Sequence, residues 1–194
     1  DSFLNFASFR TAYDVTMEAL NHRQFRTIMV TAEGIPERYA RQMVAKARKN
    51  NCILVGPATV GAITPGALKT GNIGGTIENI AKTRLHRPGS VGLVTRSGGL
   101  FNELCNIISL NSNGIAEGIA VGGDRYPGST FIDHMLRMEQ MPEVKLMILL
   151  GEVGGTDEYE VIDAIKEGKL TKPIIALCTG TVAKHLASGV QFGH

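Results

Sequence analysis

The chain has 194 residues, 43% hydrophobic and 20% charged, with a formal net charge of +2. That length suits one large domain or two small ones around a core that needs no staple. The composition excludes disorder as the main state, and the balanced charge gives no sign of a nucleic-acid or anionic-membrane partner. Glycine stands out: there are 23, well above the ~7% of average usage. Only seven prolines accompany them, so the excess marks tight turns and backbone that approaches a ligand rather than a linker.

Short apolar runs alternate with amphipathic stretches along the chain. Residues 3–7 read as a strand, 12–20 as a helix, 27–31 as a strand, 37–49 as a helix and 52–55 as a strand. Residues 57–89 hold Pro57, Pro65, Pro88 and many glycines, and read as a connection with one helix at 76–85. Strands follow at 91–95, 118–121, 146–150 and 174–178, with helices at 101–109, 131–138 and 158–167. Most strand runs are continuously apolar, as in a parallel sheet covered on both faces. The expected fold class is therefore α/β with two domains. Residues 1–88 supply three strands and the connection, too few strands for a doubly wound sheet, so its opening strands are expected outside this sequence. Residues 89–194 look like the start of a flavodoxin-like parallel sheet. The chain opens at Asp1 and stops on His194, and both ends read as cuts through a longer protein.

Cys52, Cys105 and Cys178 lie far apart and form no CxxC pair, so neither a zinc site nor a disulfide framework is expected. Cys52 and Cys178 sit in apolar runs and read as buried thiols in a reducing compartment, which makes a cytoplasmic location the default. No apolar run approaches the ~18 residues of a membrane span.

Ligands of an open parallel sheet bind outside the carboxyl ends of its strands, so the loops after strands are the candidates. Arg96-Ser97-Gly98-Gly99 joins a buried strand to a helix; unobstructed N–H groups and the helix dipole suit a phosphate or carboxylate there. Taken alone, the loop is more economically a tight turn with Ser97 as N-cap. Glu152 ends an apolar strand on the ligand side, where a partly desolvated carboxylate needs a partner. Thr156, Asp157 and Glu158 read as the cap and first-turn acids of the next helix. Asp124 and Arg125 face the crevice or pair with each other on the surface. Ser8 and Arg10 follow the first strand and suit nucleotide phosphates, or are a cap and a solvated charge. Glu33 follows the second strand. There is no GxGxxG, no GxxxxGK[ST] and no histidine pair at metal-ligand spacing.

Seven motifs then occur in order: AEGIPE, GPATVGAITPG, RPGSVGLVTRSGG, GGDRYPGSTFIDH, GEVGGTDEY, LTKPIIA and VQFGH. With them, essentially the whole chain resembles the α-subunit-like region shared by succinyl-CoA synthetases and ATP-citrate lyases. NFASFRTAYD, GPATVG, TRSGGLFNEL and VQFGH are similar to the lyase branch. The resemblance implies a partial Rossmann-like coenzyme A-binding domain ahead of the flavodoxin-like one, and phosphohistidine chemistry. ATP phosphorylates the histidine matching His194; the phosphoryl group passes to citrate; coenzyme A attacks citryl phosphate; a citrate-synthase-like module cleaves citryl-CoA to acetyl-CoA and oxaloacetate. It also implies roles: Ser97, Gly98 and Gly99 hold the histidine-bound phosphate, Glu152 accepts a hydrogen bond from the imidazole, Glu33 lies near the reacting thioester, and Ser8 and Arg10 contact coenzyme A. Coenzyme A, ATP and Mg2+ are the implied cofactors, ATP and Mg2+ bound mainly by an ATP-grasp region that is not in this sequence, on the same enzyme or a partner subunit of a homo- or hetero-oligomer. No metal ligands are expected in this chain. Citryl-CoA synthetase, a succinyl-CoA synthetase α subunit and a non-catalytic coenzyme A- or nucleotide-sensing module are the rival readings.

Overall fold

The computed structural model describes residues 1–180 and residue 185. His194 lies outside the described residues. Two sheets organise the chain. The first is parallel, with β1 (Ser2–Asn5), β2 (Thr27–Val30) and β3 (Ile53–Val55) in the order β1-β2-β3. Its crossovers are α1 (Ala12–Ala19) and α2 (Glu37–Lys49). Side chains alternate across this sheet as strand geometry requires. Ile28, Val30 and Leu54 turn toward Ala12, Ala40 and Met43 of the two helices, whereas Met29 and Val55 turn the other way and join the core of the second sheet.

Residues 57–89 are more than a connection. They supply β4 (Gly61–Thr64), β5 (Leu68–Lys69) and the short α3 (Ile77–Lys82). β4 pairs antiparallel with both β5 and a later strand, so this segment forms one edge of the second sheet. The change of sheet therefore falls between β3 and β4, not at residues 88–89. Four residues alternating between buried and half-buried, flanked by Pro57 and Pro65, carry too short a period to announce a strand.

The second sheet has six strands in the order β5-β4-β7-β6-β8-β9. After β6 (Val91–Thr95), α4 (Gly98–Asn111) leads to β7 (Ile115–Ala120) on one side; α5 (Phe131–Glu139) then crosses to β8 (Leu146–Glu152) on the other side of β6. α6 (Asp157–Lys166) leads to β9 (Ile174–Thr179) beside β8. The parallel part thus has the doubly wound order of a flavodoxin-like sheet, with its switch point between β6 and β8. β6 is buried along its whole length: Leu93 packs with Phe101, Cys105 and Ile108 of α4, and Val94 packs with Phe131, Met135 and Met138 of α5. Each such large apolar side chain contributes ~1.5–3 kcal/mol on burial, so the switch point stands on a strand packed on both faces.

The thiols differ from expectation. Cys105 is the buried one, while Cys52 is half-buried and Cys178 exposed. Cys178 lies on β9, which among the described residues is an edge strand with residues 175–178 exposed; an apolar run on such a strand does not imply burial.

Candidate functional site

The two sheets meet at their carboxyl ends. The Gly56 N–H donates to the Val121 carbonyl at 3.0 Å, the Gly128 N–H to the Gly56 carbonyl at 2.8 Å, and the Gly123 N–H to the Ala58 carbonyl at 3.2 Å. Glycine is required here by close approach: a Cβ on Gly122 would lie 2.2 Å from the Pro57 carbonyl oxygen, and one on Gly128 2.4 Å from that of Leu54. The Ala58 N–H donates to the Ala32 carbonyl and Arg96 to the Asp124 carbonyl, both at 2.9 Å, so the loops after β2 and β6 border this seam; the sequence candidates all follow the carboxyl ends of their strands, the ligand side of such sheets.

At the switch point, Ser97 is the N-cap of α4; its hydroxyl accepts from the Leu100 N–H at 3.4 Å. α4 begins at Gly98, three residues before the predicted start. The orphan N–H groups of its first turn therefore open directly onto the crevice. Gly98 and Gly99 differ in reason. A Cβ on Gly98 would strike Val60 Cγ1 at 2.4 Å, whereas one on Gly99 meets nothing within 4 Å. Gly98 lets the helix lie against Val60, and Gly99 leaves the helix start open.

Glu152 is the last residue of β8, the neighbour of β6. Its Oε1 lies 3.4 Å from Nε of Arg96. Its backbone N–H donates to Oε1 of Glu158 at 3.0 Å. Arg96 in turn donates through Nη1 to Asp157 Oδ2 at 2.6 Å and through Nη2 to the Asp124 carbonyl at 2.9 Å. Its own N–H donates to the Leu150 carbonyl at 3.2 Å. One guanidinium thus joins the loops after β6, β7 and β8, bonded to Asp157 and facing Glu152, with the Glu158 carboxylate on the Glu152 backbone beyond it. The Oε2 of Glu158 is buried without a hydrogen-bond partner among the described residues. Such a cluster suits a cationic or N–H-bearing group, and the adjoining helix start suits an anion.

Around the first sheet the candidates stand differently. Ser8, Arg10 and Glu33 are all exposed. The Ser8 carbonyl accepts from the Thr11 and Ala12 N–H groups and so turns the chain into α1. The Arg10 guanidinium sits 5.6 Å from the Phe9 ring centroid, and among the described residues it makes no ion pair. Arg125 bonds Glu37 of α2 at 3.3 Å rather than Asp124, while Asp124 Oδ1 accepts from the Tyr126 N–H at 3.0 Å.

Sequence reasoning passes over three residues of the cluster: Arg96, one letter of a glycine loop, and Asp157 and Glu158, two first-turn acids. The available signal was an arginine directly after a fully apolar strand, but its partners become visible only once β6 and β8 are known to be neighbours. Among the described residues no group of three or more His, Cys, Asp or Glu side chains could hold a metal ion, and no helix is long and apolar enough to cross a membrane.

The chain is 56% identical over all 194 residues to human ATP-citrate synthase, covering 18% of that protein. It is 54% identical over its full length to the probable ATP-citrate synthase subunit 1 of Neurospora crassa, covering 29% of it. The ATP citrate lyase of Methanothrix soehngenii, solved in complex with citrate and coenzyme A, superposes with a TM-score of 0.95 at 56% identity, over 100% of this chain and 32% of that one. The chain thus spans less than a third of the length of these relatives. A family model described as CoA-ligase matches residues 94–191, half of the chain and the part that holds the switch-point crevice. By that match the chain belongs to the CoA-ligase family.

Proposed function

We propose that this chain is the coenzyme A-binding and phosphohistidine region of an ATP-citrate lyase. The observation that carries the reading is the switch-point crevice, where an open helix start at Ser97 and a carboxylate at Glu152 stand at the ends of adjacent strands and are tied by Arg96. An imidazole that carries a phosphoryl group needs those two things together: N–H groups for the anion and a carboxylate for the ring. His194 is the residue proposed to bring that imidazole.

In this reading the Ser97 hydroxyl and the first N–H groups of α4 bind the phosphoryl oxygens. Glu152 accepts the N–H of the ring nitrogen that is not phosphorylated and offsets the positive charge of the ring. A citrate carboxylate oxygen then attacks phosphorus, the P–N bond breaks, and its electron pair returns to the His194 ring. Coenzyme A supplies the thiolate that displaces phosphate from citryl phosphate and leaves citryl-CoA. The residues after β1 fit that ligand: Arg10 is exposed and unpaired among the described residues, ready for a phosphate of coenzyme A, with Ser8 beside it. Glu33, exposed after β2, is proposed to lie near the thioester. ATP and Mg2+ would be held by an ATP-grasp region, and citryl-CoA cleaved by a citrate-synthase-like region, of the same chain or a partner subunit. The enzyme is proposed to work as an oligomer in the cytoplasm.

The reading is tested with the full-length enzyme that contains this region, by following consumption of coenzyme A with ATP and either citrate or succinate. Citrate-dependent consumption with release of oxaloacetate is expected. Succinate-dependent consumption would assign the chain to a succinyl-CoA synthetase instead, and citrate-dependent consumption without oxaloacetate to a citryl-CoA synthetase.

A further inference from the structure

Among the described residues Arg96 is the one Arg, Lys, Asp or Glu that is buried, 9% exposed. Its three nitrogens are used unequally. Nη1 and Nη2 make short hydrogen bonds to Asp157 and to the Asp124 carbonyl, at 2.6 and 2.9 Å. Nε, aimed at Glu152, stands 3.4 Å from Oε1 and closes no hydrogen bond. The guanidinium is therefore anchored by groups other than Glu152. Glu152 feels its charge but, among the described residues, accepts no hydrogen bond through its side chain, which leaves it able to take a second N–H donor. Arg96 is also the residue between Thr95 of β6 and the N-cap Ser97, so one side chain spaces the phosphate-ready helix start against the carboxylate of the neighbouring strand.

We propose that Arg96 is a positioning residue for phosphoryl transfer, acting through Glu152: it holds that carboxylate at the crevice, turned toward the incoming imidazole, without occupying it. This rests on the function proposed above. Lysine would keep the charge but, as a single ammonium on a flexible stem, would not hold Asp157, the Asp124 carbonyl and Glu152 at once. Glutamine would leave the carboxylates of Glu152 and Asp157 without their cation and free Glu152 to turn away.

The test is a double-mutant cycle on the single-turnover rate of histidine phosphorylation, in the full-length enzyme with γ-labelled ATP. R96Q and E152Q are each expected to slow labelling, E152Q by about 100-fold and R96Q by about 10- to 100-fold, with R96K between R96Q and the unmodified enzyme. The double variant is expected to be no more than about threefold slower than E152Q alone, since a residue acting through another loses its effect when that other is gone. Affinity for coenzyme A should be unchanged. Should R96Q not fold, D157N removes the anchor and leaves Arg96 in place; it is expected to slow labelling severalfold, again only when Glu152 is present. Rate losses that multiply in the double variant would overturn the proposal, as would R96Q or D157N labelling at the full rate while E152Q is slow. An E152Q enzyme that labels at the full rate would overturn the assignment of the crevice itself.

Discussion

The carboxyl ends of the two sheets face one seam, yet they are built differently. Around β6 and β8 most polar groups are held by a neighbour: Ser97 bonds the Leu100 N–H, Arg96 bonds Asp157 and the Asp124 carbonyl and faces Glu152, and the Glu152 backbone bonds Glu158. Around β1 and β2, Ser8, Arg10 and Glu33 stand exposed. A group that stabilises a transition state gains by being fixed before reaction. A group that grips the phosphate of a large ligand can be ordered by the ligand itself, at a modest cost in affinity. Under the function proposed above, the difference is a division of labour, with the second sheet arranged for the chemical step and the first for docking. The two regions should therefore fail in different ways when altered.

The deepest loss is expected at the tied end. Glu152→Gln keeps the shape and removes the charge, and should slow histidine phosphorylation by on the order of 100-fold or more while the dissociation constant for coenzyme A stays as it was. Rapid-quench labelling beside calorimetric titration of coenzyme A separates the two. A parallel loss in both would dissolve the division between the regions.

The seam comes next. His134 of α5 lines a cavity of about 190 Å³ against β1, β2 and β3, and its Nε2 pairs with the Ser129 hydroxyl at 2.9 Å. Burial, with the Arg137 charge adding to it against the opposing pull of Asp133 and Glu117, pushes its pKa down to about 4. The unfolded chain binds that proton at about 6.5, so between pH 6.5 and 4 the unfolded state holds more protons and stability falls as the pH drops. The loss is complete below about pH 4 and amounts to about 3 kcal/mol. His134→Gln should flatten that part of a urea-denaturation profile against pH. An unchanged slope would remove His134 from the acid sensitivity of the seam.

The paired glycines then give opposite signs. Gly98→Ala drives a methyl into Val60 and should destabilise by ~1–3 kcal/mol. Gly99→Ala enters open space within a helix and should stabilise by ~0.5–1 kcal/mol, measured as the midpoint of thermal unfolding. Equal effects at the two positions would contradict the packing of α4 on Val60. The mildest expected change is at the open end: Arg10→Ala should weaken coenzyme A binding by about tenfold, as for one exposed charge-assisted hydrogen bond, with the phosphorylation rate and the unfolding midpoint unmoved.

Legibility in the sequence followed the same contrast. β6 and β8 announce themselves because strands covered on both faces are continuously apolar, and the loops after them could be named before any topology was known. Glu152 is visible as a carboxylate where such a run stops. Arg96, Asp157 and Glu158 are not, because what matters about them is which strand lies beside which, and strand order is not written in local periodicity. β4 and β5 escape for a different reason: four and two residues are held by pairing, β4 with β7 and β5 with β4, rather than by any pattern of their own. Cys178 misled because an edge strand keeps the composition of a buried one. The roles proposed for Ser8, Arg10 and Glu33 come from family resemblance, since exposed loop residues carry no physical signature of a ligand.

One measurement bears on the chemistry assigned to the switch-point crevice more than any other. The full-length enzyme is incubated with γ-labelled ATP, quenched in base, digested, and the acid-labile label placed on a peptide. Label on the peptide containing His194, removed by citrate together with coenzyme A and absent from a His194→Ala variant, is the predicted result. Label that persists in that variant, or that maps to a residue elsewhere in the enzyme, would contradict the assignment.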